Sequence, residues 1–220
     1  MLEVIYDSVV YYHLYLQIIP AIIGLFYIKK LDVKYRYFVL LLWYGVFNEI
    51  FALYYGRYIV IQKNAVFYNI YNVIYFSYLF WLFFSKFNSK IFKKIIIFFG
   101  VLYFTVVAYE LLIKQIDYTS QSFLESYIIG GFSILIFVAY YLMMLLTSSK
   151  QENVYSNLLL WIAIAHFIYY LGFIPFKVGQ NYFANFKQFH HLFSLLITIT
   201  SLKSIILSIG FICTHQKVQS

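Results

Sequence analysis

Long apolar stretches and short polar breaks alternate along the chain from end to end. A helix needs about 20 mostly apolar residues to cross a bilayer. By that ruler the sequence predicts seven spanning helices, at about 8–28, 37–57, 65–85, 95–113, 126–147, 155–175 and 189–212. Abundant Ile and aromatic residues also suit strands. Barrel strands, however, alternate apolar and polar positions over about 10 residues, whereas these runs are continuous and about twice as long. The expected fold class is an all-α integral membrane protein: a seven-transmembrane-helix bundle, one heptahelical domain over 1–220 with short loops and no linker.

Composition strengthens that expectation. Of 220 residues, 64% are hydrophobic and 11% charged, against about 45–50% and about 25% in a soluble domain. Too few polar side chains remain to coat a water-facing surface. A soluble enzyme, a nucleic-acid-binding module and a disordered chain are thereby excluded, and the partner that composition demands is the lipid bilayer. The net charge of +8 belongs to loops and marks orientation, not nucleic acid. Lys29, Lys30, Lys34, Arg36, Lys86, Lys90, Lys93, Lys94, Lys150 and Lys217 fall on one side, ten in all, against Arg57, Lys63, Lys114, Lys177 and Lys187 on the other. Positive charge stays in the cytoplasm, so the N-terminus is expected outside and the C-terminus inside. The expected location is a bacterial inner (cytoplasmic) membrane. Glu3 and Asp7 precede the first span with no basic residue, so that span is read as a retained helix and not a cleaved signal. The single Cys213 excludes an intrachain disulfide and a cysteine-based zinc site.

An internal similarity links the second and sixth spans. Leu40-Leu-Leu-Trp43 is followed by Asn48 and Tyr54-Tyr55-Gly56; Leu158-Leu-Leu-Trp161 is followed by His166, Tyr169-Tyr170 and Gly172. Same-direction helices four apart would suit a parallel repeat of three helices, a linker helix and three helices. The match covers one helix pair, and in so restricted an alphabet coincidence is the simpler reading. Pro20 with Gly24 should kink the first span. Ser126-xxx-Gly130 with Gly131 reads as a close helix contact in the fifth.

Candidate chemistry lies at membrane depth. An ionisable residue there costs about 2.5–3.5 kcal/mol on insertion scales, so each requires a reason. Glu49, Asn72, His166 and Lys203 all fall within about one helical turn of the midpoints of their spans. They are expected to form a polar layer that binds a ligand or carries a proton, with Glu49 and Lys203 as an ion pair. Asn48, Asn69, Ser194, Thr198 and Ser201 would support it. Asparagine, histidine and an ion pair can equally pin helices together, each cross-helix hydrogen bond being worth about 0.6 kcal/mol.

In the seventh span His190, His191, Ser194, Thr198, Ser201, Ser204 and Ser208 share an arc of about 140°, with Lys203 nearly opposite its middle. That helix is expected to be wedged between neighbours, since Lys203 lies too deep to snorkel. His190 and His191 point about 100° apart and cannot easily chelate one ion. No metal and no cofactor are expected.

These features suit a small-molecule or ion transporter or channel with its polar site at the bilayer midplane. The alternative is a membrane-embedded sensor or effector subunit that acts through a membrane or cytosolic protein partner, with the buried polar residues structural. Self-association into a homo-oligomer is compatible with both. A lipid-modifying enzyme would need clustered carboxylates or histidines at an interface, and the sequence offers none.

Overall fold

The computed structural model describes residues 2–60, 63–147, 154–183 and 189–215, with side chains for 14–60, 63–147, 155–179 and 195–214. Seven α-helices occupy the described residues: α1 Leu2–Tyr27, α2 Val33–Tyr54, α3 Ala65–Lys86, α4 Lys90–Leu112, α5 Leu124–Thr147, α6 Leu158–Phe183 and α7 Phe189–His215. A five-residue π turn, Tyr55–Ile59, extends α2. Helix makes up 89% of the structure, and no strand occurs among the described residues. Helices α2 to α7 are each long and apolar enough to cross a bilayer. These are the dimensions of an integral membrane protein.

Local chemistry moves some helix ends away from the limits of the apolar runs. Helix α4 starts at Lys90, ahead of its apolar run, because the Ser89 hydroxyl accepts the Phe92 N–H at 3.3 Å. Helix α6 continues past Pro175 to Phe183. Interior proline is tolerated in apolar helices where neighbours re-satisfy the freed backbone groups. In α1, Pro20 is likewise interior, and the Trp43 indole donates to the adjacent Ala21 carbonyl at 3.1 Å.

The helix surfaces are apolar outward as well as inward. On α4, Ile97, Phe98, Val101, Phe104 and Leu112 are exposed, and on α7 Leu195, Leu202, Ile205, Ile209 and Ile212 are exposed. Water-soluble monomers rarely show contiguous apolar faces of this extent.

The chain forms two compact units, Met1–Val46 with Val138–Ser220, and Phe47–Phe137. The division cuts α2 and α5 and does not follow a grouping of helices one to three and five to seven, as a three-plus-one-plus-three repeat would. In the first unit α7 packs against both α1 and α6. Gly24 of α1 lets Val39 and Phe211 approach to 2.9 and 3.1 Å of where a Cβ would stand. In the second unit α3 packs on α4 around an aromatic core. The Phe76 ring lies 5.3 Å from Tyr103 and 5.6 Å from Tyr127, and Phe137 lies 5.6 Å from Phe80 and 5.9 Å from Phe92. Most of these pairs meet edge-to-face or tilted, the arrangements aromatic quadrupoles favour. Gly130 sits directly against the Phe76 ring, 2.9 Å from its would-be Cβ. The glycine contact expected on α5 is therefore a seat for a ring of α3.

Candidate functional site

Two glycines set the register of α6 and α7. A Cβ on Gly172 would run into the Ile199 side chain, and a Cβ on Gly210 into Cβ of Trp161. Residues 161 and 172 of α6 thus face 210 and 199 of α7, the same separation on both helices. The two run antiparallel in constant register, which puts Ile168 opposite Lys203. His166 and Lys203 then differ in depth by about 3 Å, at 1.5 Å per residue.

Lys203 is half-buried and lies toward one flank of the buried half of α7. Around it Ile199, Thr200, Ser204, Leu207 and Phe211 are buried, while Leu195, Leu202, Ile205, Ile209 and Ile212 form the exposed side. Its Nζ stands 4.2 Å from the centroid of the Tyr169 ring. A desolvated cation–π contact contributes about 2 kcal/mol, which offsets most of the about 2.5–3.5 kcal/mol cost of a mid-span lysine. The aromatic lining continues on both sides. Tyr169 stacks on Phe173 at 5.0 Å and meets Tyr170 edge-on at 5.2 Å; Tyr170 lies 6.1 Å from the His166 ring. Phe38, from the first half of α2, lies 6.1 Å from the other flank of His166 and 6.4 Å from Phe211.

His166 is 1% exposed. Its Nδ1 is 2.6 Å from the Ile162 carbonyl. A carbonyl only accepts, so Nδ1 carries the hydrogen and donates, and in the neutral ring Nε2 is the acceptor.

The hydroxyl arc of α7 divides. Ser204 and Ser208 are buried. Thr198 is exposed, and Ser201 is half-buried with its hydroxyl returned to the Ile197 carbonyl at 2.7 Å. The side chains of Ser194, His190 and His191 lie outside the described residues. Ser208 and Thr214 also donate back to their own helix, to Ser204 and Gly210 carbonyls. Thr200 does not: its hydroxyl oxygen is buried and has no hydrogen-bond partner. Nothing in the apolar pattern singles Thr200 out.

In the second unit, Glu49 is half-buried and accepts a hydrogen bond from the Tyr68 hydroxyl at 3.1 Å. Asn48 is buried and Asn72 half-buried. Asn69 holds the connection between α4 and α5. Its Nδ2 donates to the Tyr118 and Gln121 carbonyls, each at 3.0 Å, and its Oδ1 accepts the Phe123 N–H at 2.9 Å. Glu110, absent from the expected site, is fully buried. Its two carboxylate oxygens accept the N–H groups of Glu125 and Ser126 at 2.8 and 3.2 Å. It therefore caps the N-terminus of α5, where backbone donors and the helix dipole favour negative charge. The signal for it is a lone acid in an apolar helix, one short connection before the next helix start.

The same connection carries its own charge pattern. Asp117 accepts from the Thr119 hydroxyl at 2.6 Å, the Ser120 hydroxyl at 2.7 Å and the Thr119 N–H at 3.0 Å. Those bonds hold its carboxyl down at about 2. The Glu125 carboxylate, bonded to Lys114, raises the lysine above its usual value.

Among the described residues no three His, Cys, Asp or Glu side chains gather as a metal site would require. The chemistry that α6 and α7 bring together is a half-buried cation over an aromatic ring, a buried unpaired hydroxyl, an imidazole and aromatic faces. No protein family, curated protein or solved structure matches the chain.

Proposed function

We propose that this is a seven-span protein of a bacterial cytoplasmic membrane, N-terminus outside and C-terminus inside, that works as a small-molecule or ion transporter or channel. Its site lies at mid-span between α6 and α7, centred on Lys203 and His166. The single observation that carries this reading is the position of Lys203. It is half-buried on the side of α7 that meets Tyr169 of α6, 12 residues from the nearer end of the helix Phe189–His215, or about 18 Å at 1.5 Å per residue. Ionisable groups at such depth are rare and mark substrate or proton paths.

The test is flux. Purified protein reconstituted into liposomes should carry protons or small ions, followed with an internal pH dye and with isotope uptake, and Lys203→Met should abolish that flux while the protein still elutes as a folded species. Proteoliposomes no leakier than empty ones, together with a protein partner co-purifying in fixed ratio, would replace transport by the sensor or effector reading.

A further inference from the structure

We infer that the side of α7 that carries Thr200 and Lys203, facing Tyr169 of α6, is a binding site for a small carboxylate with an apolar or aromatic body, an assignment that rests on the transport reading above and narrows its substrate class. Thr200 and Lys203 are three residues apart, so their side chains are neighbours on one helical face, with Cβ atoms about 5–6 Å apart. Thr200 is buried and Lys203 half-buried. A carboxylate accepts hydrogen bonds at two oxygens and donates none; one oxygen suits the ammonium and the other the hydroxyl.

The Thr200 hydroxyl is the independent pointer. It is 2% exposed and unpaired, whereas Ser201, Ser208 and Thr214 on the same helix all return their hydroxyls to the preceding turn. Threonine on a helix readily makes that bond. A hydroxyl left without one in an apolar interior is held ready for an acceptor that the chain itself does not supply. The wall opposite supplies the complement for the ligand body: Tyr169, beneath the lysine at 4.2 Å, stacked on Phe173. Above and below, the close contacts of Gly172 with Ile199 and Gly210 with Trp161 clamp the two helices. The donors therefore lie between two fixed points and not at a fraying end.

The experiment uses the full chain in detergent and reads calorimetric binding and thermal midpoint with sodium benzoate, with its neutral isostere benzamide, and with sodium chloride at equal ionic strength. Benzoate should bind and raise the midpoint, and the other two should not. Thr200→Val, which keeps the shape and removes the hydroxyl, should weaken benzoate binding about tenfold, the loss of one hydrogen bond to a charged group. Lys203→Met should abolish it, and where that variant fails to fold, Thr200→Val alone decides. Equal binding of benzamide or chloride, or unchanged benzoate affinity in Thr200→Val, would overturn the assignment. Liposome flux separates the two readings: benzoate binding without flux leaves the site and removes transport, whereas cation flux without benzoate binding leaves transport and removes the carboxylate site.

Discussion

At the scale of single residues, polar side chains in this protein divide into those that close the fold and those left with capacity. Asn69 belongs to the first group, with three hydrogen bonds to the connection between α4 and α5. At about 1 kcal/mol for each bond, Asn69→Ala should cost about 3 kcal/mol and lower the unfolding midpoint. A midpoint within a degree of wild type would mean that Tyr118, Gln121 and Phe123 find other partners. Thr200 belongs to the second group. A buried hydroxyl without a partner costs about 1–3 kcal/mol, so Thr200→Val in the absence of ligand should raise the midpoint, the reverse of the usual effect of a core substitution. Asp117 gives a pH dependence. Its carboxyl is lowered from 3.8 to about 2, so the folded connection is favoured above the unfolded value and that preference is lost as pH falls through the folded one. Amide exchange at Thr119 and Ser120 should therefore accelerate between about pH 4 and pH 2 relative to neighbouring amides. In Asp117→Asn that acceleration should vanish.

At the scale of elements, helices are legible in the sequence and their ends are less so. Apolar runs of bilayer length admit no competing element, and each of the seven lies largely within one helix. The ends depend on caps, as at Ser89, and on neighbours that tolerate Pro175. The costly groups, His166 and Lys203, are legible because lone ionisable residues in apolar runs stand out. The Asn69 clasp, the Glu110 cap and the unpaired Thr200 are not, because each depends on what a residue distant in sequence places opposite it. Helix contacts carry a prediction of their own. At Gly172 the atom nearest a new Cβ is Ile199 Cδ1, the free end of a side chain, whereas at Gly210 it is Trp161 Cβ, with Cγ at 2.7 Å. Trp161 cannot swing aside cheaply, because its indole donates to the Tyr155 carbonyl at 2.8 Å. Gly172→Ala should be close to neutral, strain there being offset by the about 1 kcal/mol gained when alanine replaces glycine in a helix. Gly210→Ala should lose about 1–3 kcal/mol, the usual cost of overpacking. Thermal midpoints of the two variants in one detergent give the comparison, and equal losses would contradict this register of α6 on α7.

At the scale of the whole molecule, apolar outer faces and basic loops together define how the chain meets a bilayer. Exposed Ile, Leu, Phe and Val rows on α4 and α7 would be a liability in water and are the ordinary surface of a helix in lipid. Orientation follows from where lysine and arginine fall, because basic loops resist translocation while acids contribute little. With ten basic residues assigned to one side and five to the other, a green fluorescent reporter at the C-terminus should fluoresce and alkaline phosphatase at the same point should be inactive. The segment between α3 and α4 carries four of the ten, Lys86, Lys90, Lys93 and Lys94, within nine residues. Lys93 already rests over the Phe84 ring, 5.1 Å from its centroid, a contact suited to an interface where the ring faces lipid and the ammonium faces headgroups. Replacing all four lysines by glutamine leaves six basic residues against five, nearly erasing the bias. That variant should insert in both orientations, read as phosphatase activity appearing beside residual fluorescence. A C-terminus that remains wholly inside would show that these lysines do not set the orientation.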